Sequence, residues 1–269
     1  MLKTRTFKPK GTSNFASANP SIQGTKMKKS KITSSRSSAL IAGISLLLMA
    51  VVAGLTYGYL HSRLVIADDA ESTLNNLRAF PDLFKEEIFG WVVVFFLDGM
   101  AAWALYHFFE PVSIALSFLS SFLRAVYTAA LGIAIFNLPK ILDVVNGQLS
   151  HLGMAKESSL IMEYFGSFED LWSKGLIIFG LHLLLLGYLA FTAKNVPKVW
   201  GVLLMIAGLS YTYLHAFHTL LPLRVVNLNL IEAILSIPMI LGEVGFAIWL
   251  VAKGGKKEGL PSHAAVYSR

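Results

Sequence analysis

Six apolar blocks divide this chain, and each has roughly the 17–25 residues needed to cross about 30 Å of hydrocarbon. They run over about Ser38–Leu60, Ile88–Phe109, Val112–Phe136, Gly175–Thr192, Val199–Leu220 and Leu230–Ala252. A backbone in hydrocarbon must satisfy its own hydrogen bonds, so blocks of this length predict helices. The expected fold is all-α, a polytopic transmembrane bundle of six spans. Composition agrees, with 55% hydrophobic and only 14% charged residues, against about 25% charged in soluble domains. The first block is too long for a signal-peptide core and reads as a retained anchor. There is no cysteine, which excludes disulfides, thiolate metal sites and cysteine nucleophiles.

The net charge of +7 is concentrated rather than spread. Residues 1–37 carry Lys3, Arg5, Lys8, Lys10, Lys26, Lys28, Lys29, Lys31 and Arg36 and no acidic residue. The stretch is rich in Ser, Thr, Gly and Pro and predicts a disordered basic tail. The membrane domain is expected over 38–254, and a second short basic tail over 255–269. A basic segment beside a first span reads as a topology signal with attraction to anionic lipid. The expected partner is therefore the lipid bilayer and not nucleic acid.

The connectors alternate in length. Residues 61–87 and 137–174 are long and acidic, whereas Glu110-Pro111 and the stretch from Ala193 to Lys198 are short. Lys194, Lys198, Lys253, Lys256, Lys257 and Arg269 fall on the same side as the basic tail. The Lys/Arg bias places that side, with both termini, in the cytoplasm. Short interfacial helices are expected in both long connectors. Asp69 is placed to cap one beginning near Ala70, with Ala70, Leu74, Leu77 and Phe80 at helical spacing. Ile141, Val144, Val145, Leu149 and Leu152 mark a second amphipathic stretch.

Four spans each carry one ionisable residue near mid-depth: Asp98, Arg124, His182 and Glu243. A charge at the bilayer centre is costly and by default marks a functional site. Spans two and three are joined by a two-residue turn and must be antiparallel neighbours. A rise of 1.5 Å per residue brings Asp98 and Arg124 to within roughly 3–6 Å of the same depth. An ion pair is expected between them, with Glu243 as the competing partner of Arg124. Such a cluster has a structural reading, in which it fixes how helices pack, and functional ones: a solute or proton pathway, a ligand cavity, or intramembrane catalysis by His182 and Glu243. A membrane scaffold or sensor is a further alternative.

His215 and His218 share a face of span five and are weak metal candidates. No metal or cofactor is expected. Tyr211, Trp91, Trp200 and Trp249 read as packing or interfacial aromatics. Gly54 and Gly58 form a small-xxx-small pair suited to helix packing. Nucleophile-elbow, zincin, P-loop and dinucleotide-binding motifs are absent. Ser117, Ser120 and Ser121 precede Arg124, but the spacing alone does not bring one of them to His182.

Several segments resemble a widespread prokaryotic membrane family, domain-of-unknown-function family 4386. They are LVIADDAESTLNNLRAFPD at 64–82, FGLHLLLLGYLAF at 179–191, NVPKVWGVLLMIAGLSY at 195–211 and PMILGEVGFAIWLVAKG at 238–254. The resemblance covers about residues 38–254. The matching positions are Asp69, Asn76, Arg124, His182, Gly187, Pro197, Gly201, Gly208, Gly242 and Glu243. The chain departs at Ala67-Asp68, where the family tends to have Gly nearer the Asp, and His215 and His218 are not family features. The resemblance implies a helical membrane fold in a prokaryotic cytoplasmic membrane and no particular reaction.

Overall fold

The computed structural model describes residues 20–220 and 228–256. Its elements are helical throughout, and six helices are long and apolar enough to span a membrane. The chain is a multi-pass membrane protein. Helix α1 (Pro20–Ala53) continues through a π-helical stretch, Gly54–His61, into α2 (Ser62–Leu64). The short α3 (Ala70–Ala79) leads to α4 (Pro81–Phe109) and α5 (Ile114–Ile135). The short α6 (Leu138–Val145) precedes the long α7 (Met154–Thr192), then α8 (Lys198–Leu220) and α9 (Leu228–Ala252).

The spans form a closed ring in chain order. α1 packs on α4, α4 on α5, α5 on α7, α7 on α8 and α8 on α9, and α9 returns to α1. Large apolar side chains such as Phe96, Phe118, Leu209 and Ile248 are exposed on the outside of this ring, as a lipid-facing belt requires. The tightest seam joins α7 to α8. Gly180 and Gly187 face Gly208 and Gly201. A Cβ added at Gly187 would stand 2.7 Å from the Gly201 carbonyl oxygen, and one at Gly208 2.6 Å from that of Gly180. Only glycine allows backbones to meet this closely.

Two features differ from the sequence expectation. The backbone is helical from Pro20, well before Ser38. Proline suits the first turn of a helix, and residues 26–53 contain no further proline to interrupt it. Residues 1–19 and 257–269 lie outside the described residues. Arg36, expected in the tail, joins the bundle instead. Its guanidinium donates to the carbonyls of Leu250 (3.0 Å), Gly254 (2.7 Å) and Val251 (2.6 Å). A cation on carbonyls at and just past the end of α9 suits that helix end and ties it to α1. Second, Gly54 and Gly58 meet no neighbouring atom. Both lie in the π-helical stretch and face outward, so they do not pack helices within the chain.

The long connectors build a cap at one end of the ring. α7 has 39 residues, about 58 Å of helix, so its first turns stand clear of the hydrocarbon. α3 and α6 pack against that extension and each other. Asp69 caps α3 as expected: its carboxylate accepts from the Ser72 hydroxyl (2.6 Å) and amide (2.9 Å). These bonds, chiefly the hydroxyl's, hold the Asp69 carboxyl below its ordinary range. Asp68 beside it takes a left-handed backbone, φ 61°, where the family tends to have glycine close by. Arg78 on α3 donates to Glu157 on α7 at 2.9 Å.

Candidate functional site

Asp98, Arg124 and His182 come together between α4, α5 and α7, and none of the three is exposed at all. The expected ion pair is present, with Arg124 Nη2 2.5 Å from Asp98 Oδ1. Thr128 donates its hydroxyl to the other Asp98 oxygen. Arg124 Nη2 also approaches the Met49 sulfur at 3.8 Å, and the guanidinium lies over the Phe179 ring at 5.1 Å. Arg124 Nη1 reaches His182 Nε2 at 3.3 Å. Every strong polar group of this centre except Arg124 Nε thus has a partner, as a buried ion pair requires.

The contacts of His182 also fix its proton. Nδ1 lies 2.8 Å from the Ser120 carbonyl oxygen. A guanidinium only donates and a carbonyl only accepts. The proton is therefore on Nδ1, and Nε2 accepts from Arg124. Ser120 Oγ does stand 3.0 Å from Nδ1, a proximity the sequence did not give. In this tautomer it meets an N–H and not a lone pair, so the imidazole cannot take the serine proton.

Glu243 is within electrostatic range of Arg124 and Asp98 but is not bonded to either. Its carboxylate is beside the Tyr211 hydroxyl, and among the described residues it forms no salt bridge with a Lys or Arg. α9 can come close at this level because Gly242 and Gly245 lie against Leu203 and the Trp200 ring of α8. Glu243 faces a cavity of about 920 Å³. α7 contributes Glu169, Asp170, Trp172 and Phe179 to its wall, and α4 contributes Trp91 and Asp98. Leu46 to Tyr57 on one side and Ser236 to Val244 on the other bound it along α1 and α9. From Glu169 to Phe179 the wall descends roughly 15 Å along α7, from the capped end toward mid-bundle. Tyr211, expected as a packing aromatic, is part of this wall. Trp91, Trp200 and Trp249 do pack within the bundle.

His215 also lines the cavity, with Nδ1 2.8 Å from Ser173 Oγ and its ring stacked on Tyr211. The side chain of His218 lies outside the described residues. Among the described residues no three His, Asp or Glu stand close enough to share a metal ion.

A second polar cluster, absent from the sequence reading, adjoins the cavity wall at Glu169. His61 Nδ1 lies 2.8 Å from Glu87 Oε1, and its Nε2 3.6 Å from Glu169 Oε1. Glu87 is fully buried, with Oε2 lacking any partner. A signal existed: Glu87, Trp91, Val94 and Asp98 recur at spacings of four, three and four, which puts all four on one face of α4. Reading Glu87 as part of a connector concealed it.

A family model described as "Domain of unknown function (DUF4386)" matches residues 41–254. The chain belongs to this family. The matched segment contains Asp98, Arg124, His182 and Glu243 and leaves out the basic first residues. The chain is also 32% identical over 169 residues to a protein of Archaeoglobus fulgidus described as an uncharacterized protein, a match covering 63% of this chain and 84% of that one. No solved structure matches the chain.

Proposed function

We propose that this family member is a non-enzymatic membrane protein that admits a small solute, or protons, to a polar centre through the cavity. The observation carrying this reading is the cavity itself, whose wall runs from Glu169 at the capped end to Glu243 and Asp98. Its volume of about 920 Å³ lies within the range of small-ligand sites, about 300–1,000 Å³. The Lys/Arg asymmetry supports an orientation with both termini in the cytoplasm and the capped end outside. The intramembrane-enzyme alternative has one favourable contact, Ser120 with His182. Both side chains are buried, neither lines the cavity, and the tautomer is wrong for a general base.

Because the chain has no cysteine, single cysteines report this arrangement directly. In intact cells an impermeant thiol reagent is expected to label Ser159→Cys on the cap and Ala53→Cys in the cavity wall, and to spare Ser37→Cys. Labelling of Ser159→Cys without Ala53→Cys would mean that the cavity does not open to that side. Labelling of Ser37→Cys alone would reverse the orientation.

A further inference from the structure

The walls of the cavity also restrict what can occupy it. The Asp, Glu and His residues of its wall are Asp98, Glu169, Asp170, His215 and Glu243, and no described wall residue is Lys or Arg. The cation nearest the deep end, Arg124, is wholly buried and directed to Asp98 and His182. Among the described residues an anionic ligand would enter low dielectric with no Lys or Arg to pair its charge, which is strongly unfavourable.

The carboxylates are not equivalent. Asp98 is bound to Arg124, Asp170 to Lys174 at 2.6 Å, and Glu169 lies by His61. Glu243 is hydrogen-bonded to the neutral Tyr211 hydroxyl and forms no ion pair among the described residues, Arg124 acting on it only through space while bound to Asp98, so the deep end of the cavity holds an acid with no cation of its own. Above it Tyr57, Trp91 and Trp172 are in mutual edge contact, with centroids 4.9–6.2 Å apart. Ring faces attract cations, and quaternary ammonium groups are held by such aromatic walls. The same wall already does this once, where Phe179 receives the Arg124 guanidinium.

Resting on the cavity reading above, we infer that the ligand class is an organic cation: an amine, quaternary ammonium or phosphonium group on an apolar body. The charge sits toward Glu243 and the body against Tyr57, Trp91 and Trp172. The mostly apolar wall accommodates that body, and the carboxylate selects the charge.

Tetraphenylphosphonium and tetraphenylborate, matched in shape and opposite in charge, separate the two ideas. Binding to the detergent-solubilised full chain is read by equilibrium dialysis and by tryptophan fluorescence, which Trp91 and Trp172 supply from the wall. The phosphonium is expected to bind saturably and at least about tenfold more tightly than the borate. Glu243→Gln, with its melting temperature kept near that of the parent, is expected to weaken the phosphonium about tenfold and leave the borate unchanged. If Glu243→Gln does not fold, Trp172→Leu carries the same test through lost ring contact, weakening the phosphonium and not the borate. Equal or tighter binding of the borate would overturn the cation assignment while the cavity reading stands. Failure of both probes, with a cysteine at Met239 still reactive, would also overturn it. Failure of both with Met239→Cys inert would remove the open cavity itself.

Discussion

Arg124 and Glu243 each sit near the middle of a span, yet the protein surrounds the two charges in opposite ways. Arg124 is enclosed by Asp98, His182, Met49 and the Phe179 ring. Glu243 is bonded to one neutral group, the Tyr211 hydroxyl, feels Arg124 only through space, and faces a cavity. The contrast separates two uses of buried polarity that look identical in a sequence. A fully partnered charge locks helices into one register. A carboxyl group that forms no ion pair of its own, facing space, is available to a ligand. The first arrangement is costly to damage, and the second costs stability little when neutralised.

The largest effect is therefore expected on the closed side. Asp98→Asn leaves Arg124 charged and without its carboxylate, a change expected to cost about 3–5 kcal/mol. Thermal unfolding in detergent should show it, and Asp98→Asn with Arg124→Gln should recover part of the loss. Strictly additive losses would break the idea that the two residues act as one unit. Next in size is the α7–α8 seam. Gly187→Ala drives a methyl into the Gly201 backbone and should cost about 1–3 kcal/mol. A neutral outcome there would mean that the seam can open without loss.

On the open side, Glu243→Gln should shift stability by less than about 1 kcal/mol, because it breaks no ion pair. It should nevertheless abolish whatever phenotype deletion of the protein produces. A folded variant that fully complements the deletion would reduce Glu243 to a packing residue, and the contrast with Arg124 would vanish.

The smallest effect belongs to the cap. The Asp69 carboxyl is held below its ordinary range by Ser72. A lowered folded-state value means the contribution is present at neutral pH and lost as pH falls through and below the usual carboxylate range. Hydrogen exchange of the first α3 amides should accelerate on acidification, and Asp69→Ala should remove that acid dependence.

Six spans, the α3 cap and the Asp98–Arg124 pair were legible because each follows from local spacing: block length, a capping residue before a periodic stretch, and two helices joined by a tight turn. The division of labour between Arg124 and Glu243 was not. It depends on which helices close the ring, and nothing local says that α9 returns to α1 or that Arg36 fastens it there. Ser120 and His182 lie on α5 and α7, which only the assembled ring places side by side. His61, Glu87 and Glu169 come from three different elements and were hidden for the same reason, although the face shared by Glu87 and Asp98 was readable. Gly187, Gly201 and Gly208 were visible singly as family positions, and Gly180 was not. Their meaning as one seam required α7 and α8 to be set antiparallel and in register.

The division between a sealed and an open centre is tested most directly by comparing thiol reactivity at two positions. Single cysteines are placed at Met239, in the cavity wall, and at Ser120, beside His182. A cationic, water-soluble thiosulfonate is then applied to the folded protein in lipid nanodiscs. Met239→Cys should react rapidly and be protected by tetraphenylphosphonium, while Ser120→Cys stays unreacted until the protein is denatured. Equal reactivity at the two positions, or reaction at Ser120→Cys alone, would contradict the account.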